Sequence, residues 1–150
     1  MISYVSASVN GNTVPESALQ DPTLLWPRFC DRLEAIGVIG AVRCLQYNQE
    51  EGAPLHTPLT PRPKTAEEVW THVTEERWNK YQSGGKSASM MDHYYDKLLQ
   101  IAVFQPDVVH NKYLVLEASK GNIYIQFSFQ FREKLFDFQL KVSSSMSLKL

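Results

Sequence analysis

The stretch of sequence that decides the fold is RFCDRLEAIGVIGAVRCLQY, residues 28–47. Its apolar and small residues recur every three or four positions, which is the spacing of one face of an α-helix: Phe29, Leu33, Ile36, Gly40, Cys44 and Tyr47. The stretch is therefore predicted to form one helix. Gly37 and Gly40 each cost about 1 kcal/mol relative to alanine inside a helix. Their presence indicates the close approach of another backbone or of a ligand, and tight helix packing is the favoured interpretation.

Two more helices are predicted after a proline-rich loop at residues 48–64. In residues 65–82, Thr65 and Glu68 have the spacing of a capping box, and Trp78 is expected to be partly exposed. In residues 87–102, Ser87 or Ser89 can cap the helix, and the apolar stripe comprises Met91, Tyr95, Leu98 and Ala102. Residues 28–102 are thus predicted to be a helical domain.

The two ends of the chain have other patterns. Residues 1–27 are predicted to be an extended N-terminal arm, because prolines discourage helix at the residues that precede them: Pro15, Pro22 and Pro27. After Pro106 come a short apolar run and two stretches of alternating apolar residues, which predict a three-strand β meander in the divergent segment 103–150: Tyr113–Ala118, Ile123–Phe131 and Phe136–Val142. The expected fold class is mainly α with a C-terminal β meander, α+β overall.

Composition excludes several classes of function. The net charge of −1 argues against nucleic acid and anionic membranes as partners, because both usually leave a basic patch in the sequence. No secretory signal and no apolar run of membrane-spanning length are expected in this chain. On one helix, Cys30 and Cys44 would lie about 21 Å apart, too far for a disulfide. Reduced, buried thiols are expected, which favours a cytoplasmic location.

Three blocks of sequence resemble the small HD-domain metal-dependent phosphohydrolases. Residues 30–44 resemble the family string Ala-Asp-Arg-Leu-Asp-Ala-Ile-Gly-Ala-Ile-Gly-Ile-Ala-Arg. Residues 53–58, Ala-Pro-Leu-His-Thr-Pro, resemble a loop that usually reads Arg-Pro-Leu-Tyr-Asp-Pro. Residues 93–99, His-Tyr-Tyr-Asp-Lys-Leu-Leu, resemble the helix His-Phe-Tyr-Asp-Lys-Leu-Leu. The blocks stand in family order, and the resemblance covers residues 28–102.

The resemblance implies a helical domain that holds one or two divalent metals, Mg or Mn, through a His, a His-Asp pair and a later Asp. Asp31 stands at the position of the last ligand; the alternative is a solvated carboxylate favoured by the helix dipole. Arg32, Arg43, His93 and Lys97 are the candidate residues for substrate phosphate. From spacing alone, a surface ion pair is the favoured explanation of each of these four.

The sequence also departs from the family pattern. None of the four histidines is followed by Asp, and none precedes Asp31. The metal is therefore not expected to be retained by this chain alone, which has the features of a truncated gene, a splice form or a degenerate copy. Residues 103–150 leave the family's helical pattern, so a distorted family helix is the alternative to the meander.

Two functions remain open at this point. One is a phosphohydrolase completed by ligands from another chain, acting on a nucleotide or another phosphoester. The other is a non-catalytic derivative that binds a partner or a nucleotide. Self-association, or a protein partner, is also expected, because the stripes that contain Phe29 and Met91 would lose the surface that once covered them.

Overall fold

The computed structural model describes residues 2–84 and 86–120, and all regular secondary structure within them is helical. Nine helices have bounds as follows: α1 Ala7–Asn10, α2 Glu16–Gln20, α3 Trp26–Ile36, α4 Val38–Glu50, α5 Ala66–Thr71, α6 Glu75–Gln82, α7 Met90–His93, α8 Leu99–Ile101 and α9 Pro106–Val109. Short 3₁₀ helices span Ile2–Tyr4 and Pro22–Leu25, a π-helical turn spans Tyr94–Leu98, and residues 112–120 form a further helix, α10. The expectation of a mainly α fold is confirmed.

The N-terminal segment is folded, and the prediction of an extended arm is wrong. Short polar contacts close each turn: the Asn10 side-chain amide donates to the carbonyl of Ser3, and Asp21 accepts from the backbone N–H of Thr23. The prolines stand at the starts of helices, where the missing N–H costs nothing. These turns cover one side of α3, and Ala18 and Leu25 join Phe29 in a hydrophobic cluster.

The helix predicted for residues 28–47 is broken at Gly37 into α3 and α4. Gly37 is extended (φ −82°, ψ −177°) and caps both helices. A Cβ atom at Gly40 would overlap the carbonyl oxygen of Ala35 in the last turn of α3, so the two helices meet closely at this glycine. Because α4 leaves in a new direction, the single apolar stripe does not continue: Tyr47 is 58% exposed.

Residues 65–82 also form two helices, because Thr74 starts a second one. Thr65 accepts a hydrogen bond from the N–H of Glu68, as the capping box requires, and Thr74 does the same for Arg77. The break rotates α6 relative to α5. Trp78 is consequently buried, contrary to expectation, while Trp70 on α5 is 41% exposed.

Residues 90–101 form the central helical segment of the fold, composed of α7, the π turn and α8. Ser89 caps it by accepting from the N–H of Asp92. Tyr95 and Leu99 pack with Val69 of α5, whereas Leu98 and Ile101 pack with Trp78 of α6. All four residues of the predicted stripe are buried, and so is Phe29. Leu33 and Ile36 of the α3 stripe are half-buried, and self-association stays a prediction.

The first predicted strand of the C-terminal meander, Tyr113–Ala118, is helical and the prediction is wrong. The side chain of Asn111 accepts from the backbone N–H groups of Tyr113 and Leu114, which starts α10. Leu114 and Ala118 are then buried on one face, at helical spacing. The other two predicted strands, Ile123–Phe131 and Phe136–Val142, lie outside the described residues.

Candidate functional site

An open cleft of about 1000 Å³ lies between α3, α4, the central segment and residues 81–87. Four of the five residues singled out by sequence line it: Asp31, Arg43, His93 and Lys97. They come from three helices and the π turn, and the break at Gly37 turns α4 so that Arg43 reaches the same space as Asp31. The structure therefore brings together residues that are as much as 66 positions apart in the sequence.

The α3–α4 wall of the cleft is charged and open to solvent. Asp31 is exposed, and Arg43 donates to Glu34 at 2.8 Å with both side chains about half exposed or more. In water such a pair contributes at most about 1 kcal/mol. Arg43 therefore pairs with Glu34 and also lines the cleft.

The opposite wall carries His93, whose ring is largely buried. Its Nδ1 lies 3.3 Å from the hydroxyl of Ser87, and its ring meets the edge of Tyr81 at 5.5 Å between centroids. Burial, and then the charge of Lys97, lower the pKa of His93 to about 4, although Asp96 acts in the other direction. His93 is therefore neutral at pH 7 and offers one donor and one acceptor nitrogen.

Lys97 follows His93 by four residues, within the π turn. Its Nζ lies 5.7 Å from the ring centroid of Tyr81, and in the described part of the chain no carboxylate is within ion-pair distance of it. A π turn shifts the register of the side chains around it and is frequent at functional sites. No pattern in the sequence indicated this turn.

Arg32, the fifth candidate, does not face the cleft. Successive residues of an α-helix lie about 100° apart, so Arg32 points to another side of α3 than Asp31. Its side chain is buried and donates to the carbonyl of Gly11 at 2.8 Å. Arg32 therefore lies outside this cleft, and its role toward phosphate stays a prediction. Cys30 is exposed rather than buried, and both cysteines are free thiols.

A partly buried ion-pair network around the buried Asp92, which the sequence did not reveal, fixes the central segment. Arg77 of α6 donates to Asp92 at 2.8 Å and to Asp96 at 2.7 Å. Asp92 also accepts from Ser89 at 2.6 Å and from Thr60 at 2.7 Å. Burial raises the pKa of Asp92, but these hydrogen bonds and the charge of Arg77 outweigh it and lower the pKa overall. The network positions the residues that follow, including His93 and Lys97.

The cleft does not fit a catalytic metal on its own residues. Across residues 2–84 and 86–120, no three His, Cys, Asp or Glu side chains lie close enough to hold one ion together. Asp31 is an exposed single carboxylate, and Glu34 is engaged by Arg43. Burial raises the pKa of the Cys44 thiol, with Lys97 acting against it, so the thiolate that a metal or a nucleophilic role needs is disfavoured.

A viral protein is similar to the chain. No protein-family model and no solved structure matches the chain. Among the helices that the structure describes, none is both long enough and apolar enough to cross a bilayer. The chain is similar to uncharacterized protein L803 of Acanthamoeba polyphaga mimivirus, with 40% identity over 122 residues. The matched stretch is 81% of this chain and 49% of that protein, so the chain spans about half of the relative's length.

Proposed function

We propose that the chain is a derivative of the HD-domain phosphohydrolase fold whose cleft binds a nucleotide or another phosphoester without hydrolysing it unaided. The observation that carries the proposal is the convergence of Asp31, Arg43, His93 and Lys97 on one cleft. These residues come from the two sequence blocks that most resemble the family. The absence of a three-ligand group among the described residues is the reason for proposing binding and not hydrolysis.

Lys97 and His93 form the part of the cleft best suited to a phosphate. The Lys97 ammonium is a point charge with three donors, and a neutral imidazole can add a fourth. The α3–α4 side suits phosphate less well. Glu34 neutralises the charge of Arg43, and two further carboxylates line the cleft there, Glu50 and Glu51. We therefore expect the phosphate at Lys97 and the organic part of the ligand along α4.

Calorimetric titration with a nucleoside monophosphate tests this proposal. Removing one charge-assisted hydrogen bond costs about 1.5–3 kcal/mol, so Lys97→Ala should weaken binding at least about tenfold. Lys112→Ala removes an exposed lysine outside the cleft and should bind like the wild type. Absence of binding at millimolar ligand, or equal binding by Lys97→Ala, would show that the cleft is not a phosphoester site.

A hydrolase completed by a second polypeptide is the other candidate, and the exposed face of α4 favours it. Val38, Ile39 and Val42 are 51%, 63% and 58% exposed, beside the cleft residue Arg43. Apolar side chains grouped on one helix are a common feature of surfaces that another protein covers. We propose that the covering partner carries the His and His-Asp ligands that this chain lacks, while Asp31 supplies the last carboxylate.

Two measurements test these candidates. On either one, the purified chain alone should not hydrolyse nucleotides in the presence of Mn²⁺. Activity of the chain alone that Asp31→Ala abolishes would instead favour an enzyme whose site is formed without a partner. If the apolar face of α4 is open for a partner, Val42→Glu should weaken the binding of a hydrophobic dye, whereas Val9→Glu, on the 80% exposed Val9 of α1, should not. A wild-type chain that does not bind the dye would count against a covered α4 face.

We also propose that residues 123–131 and 136–142 form a β hairpin, as their alternating pattern indicates. Carbon chemical shifts from NMR would identify strand or helix at each of these residues. Helical shifts throughout would refute the proposal.

We propose further that the protein is cytoplasmic, which suits its free thiols Cys30 and Cys44. Imaging of a tagged protein would locate it, and a secreted product would refute the proposal.

A further inference from the structure

Two arginines of α3 are buried side by side. Arg28 is 2% exposed and Arg32 is 3% exposed. Among the described residues, their hydrogen-bond partners are backbone carbonyls: Arg28 donates to Tyr4 and Thr13, and Arg32 donates to Gly11. No carboxylate in the described part of the chain pairs with either one. Two like charges removed from water without an anion are costly.

Each guanidinium also keeps a nitrogen that has no hydrogen-bond partner. These are Nη2 of Arg28 and Nε of Arg32, both buried. Buried donors of charged groups are normally satisfied, because an unmade bond costs about 1–3 kcal/mol or more. Burial and the neighbouring charge of Arg28 lower the pKa of Arg32 to about 10, although Asp31 acts against this. Arginine stays protonated in proteins at neutral pH, so both side chains are cationic.

A small pocket lies where the two arginines meet. It has a volume of about 190 Å³, space for several water molecules. Besides Arg28 and Arg32 it is lined by Phe29, Asn12, Gln105 and three valines, and no acidic residue of the described chain lines it. It is separate from the large cleft, because the two share no lining residue.

We propose that this pocket is an anion site that takes a phosphate-sized oxyanion between Arg28 and Arg32. A guanidinium presents planar, paired donors that match phosphate oxygens. Here two guanidinium-bearing residues line one small pocket, and each keeps a donor without a partner among the described residues. The pocket is too small for a nucleoside, so the ligand is inorganic phosphate or a terminal phosphoryl group. The anion would link α3 to the N-terminal segment and to residues 103–108.

The test compares thermal unfolding in inorganic phosphate with unfolding in chloride of equal ionic strength. Saturating phosphate should raise the Tm of the wild type by roughly 3 °C or more. Gln105→Glu places a carboxylate at the rim of the pocket, at an exposed residue, and should abolish this increase. Gln20→Glu makes the same charge change at an exposed residue outside the pocket and should retain it, as should Lys97→Ala in the cleft.

A second readout needs no variant. The Nε–H of Arg32, unpartnered in the structure, should shift in ¹⁵N-resolved NMR spectra when inorganic phosphate is added. A nucleoside monophosphate distinguishes the two possible ligands. If the site takes free phosphate, this compound should shift the Arg32 signal less than inorganic phosphate does. If the site takes a terminal phosphoryl group, the two shifts should be equal. No Tm increase over chloride, an increase that Gln105→Glu retains, or an unmoved Arg32 signal would overturn the proposal.

Discussion

Replacement of Asp92 is the most informative perturbation of the scaffold behind the cleft. Its carboxylate joins three elements: Arg77 of α6, Thr60 of the loop before α5, and Ser89 at the start of the central segment. Asp92→Ala removes the acceptor of all three donors. Breaking a buried ion pair costs about 3–5 kcal/mol.

The structure indicates a loss near the lower end of that range. Arg77 keeps Asp96 as a partner at 2.7 Å, and the hydroxyls of Thr60 and Ser89 lie 3.3 Å apart, so they can bond to each other. We therefore expect Asp92→Ala to lower the free energy of unfolding by about 3 kcal/mol. Asp92→Asn keeps the shape but removes the charge, and its amide nitrogen cannot accept from Arg77 or from the two hydroxyls, so it should cost about 2 kcal/mol.

The same network predicts an acid dependence of stability. The pKa of Asp92 in the folded chain is below its ordinary value of 3.8, so the unfolded chain binds a proton more readily. The stabilisation by Asp92 is present above pH 3.8 and is lost as pH falls through the lower, folded pKa. Asp92→Asn should lack this part of the acid destabilisation.

Urea denaturation followed by circular dichroism measures these free energies. Asp107→Asn is the matched control, because Asp107 is an exposed carboxylate in the first turn of α9, and exposed sites usually change stability by less than about 0.5 kcal/mol. If Asp92→Ala cost no more than Asp107→Asn, the network would not hold the central segment in place.

Three further outcomes are expected. Gly40→Ala should lower the free energy of unfolding by about 1–3 kcal/mol, because the added Cβ would overlap the Ala35 carbonyl. Gly37→Ala should lower it less, because its Cβ would lie 3.2 Å from the Leu33 carbonyl oxygen. Equal thermal stability of the two variants would contradict this expectation. NMR titration should find the pKa of His93 near 4. Because His93 in the unfolded chain is protonated at a higher pH than in the folded chain, the free energy of unfolding should fall as pH drops from about 6.5 towards 4. A measured pKa above 6 would refute the burial argument. Mn²⁺ should bind no more tightly than to a single surface carboxylate, so micromolar affinity abolished by Asp31→Ala would be the contrary result.

Local signals in the sequence predicted the helices well but not where they break. Ser89 and Thr65 cap helices at the expected places, because capping depends on residues three positions apart. The break at Gly37 depends on the position of the Ala35 carbonyl beside Gly40, which is known only once α4 has packed. The run Tyr113–Ala118 was predicted as a strand because a short apolar run fits both periods, and Asn111 decided in favour of helix.

The candidate site was partly predictable for a similar reason. The resemblance identified Asp31, Arg43, His93 and Lys97, and the structure brings them to one cleft. The resemblance could not show that Asp31 faces the cleft and Arg32 does not. Adjacent residues point to different sides of a helix, and which side faces the cleft depends on how the neighbouring helices pack. The burial of Asp92 against Arg77 was equally hidden, because the partner is 15 residues away on another helix.

The central claim, that the cleft binds a phosphoester, is tested most directly by residue-resolved binding. A ¹⁵N-labelled chain is titrated with a nucleoside monophosphate while its backbone amide signals are followed by NMR. We predict saturable shifts centred on His93 and Lys97 and extending to Arg43 and Cys44 across the cleft. Signals there that stay unmoved at millimolar ligand, whether or not the signals of Arg28 and Arg32 shift, would contradict the account.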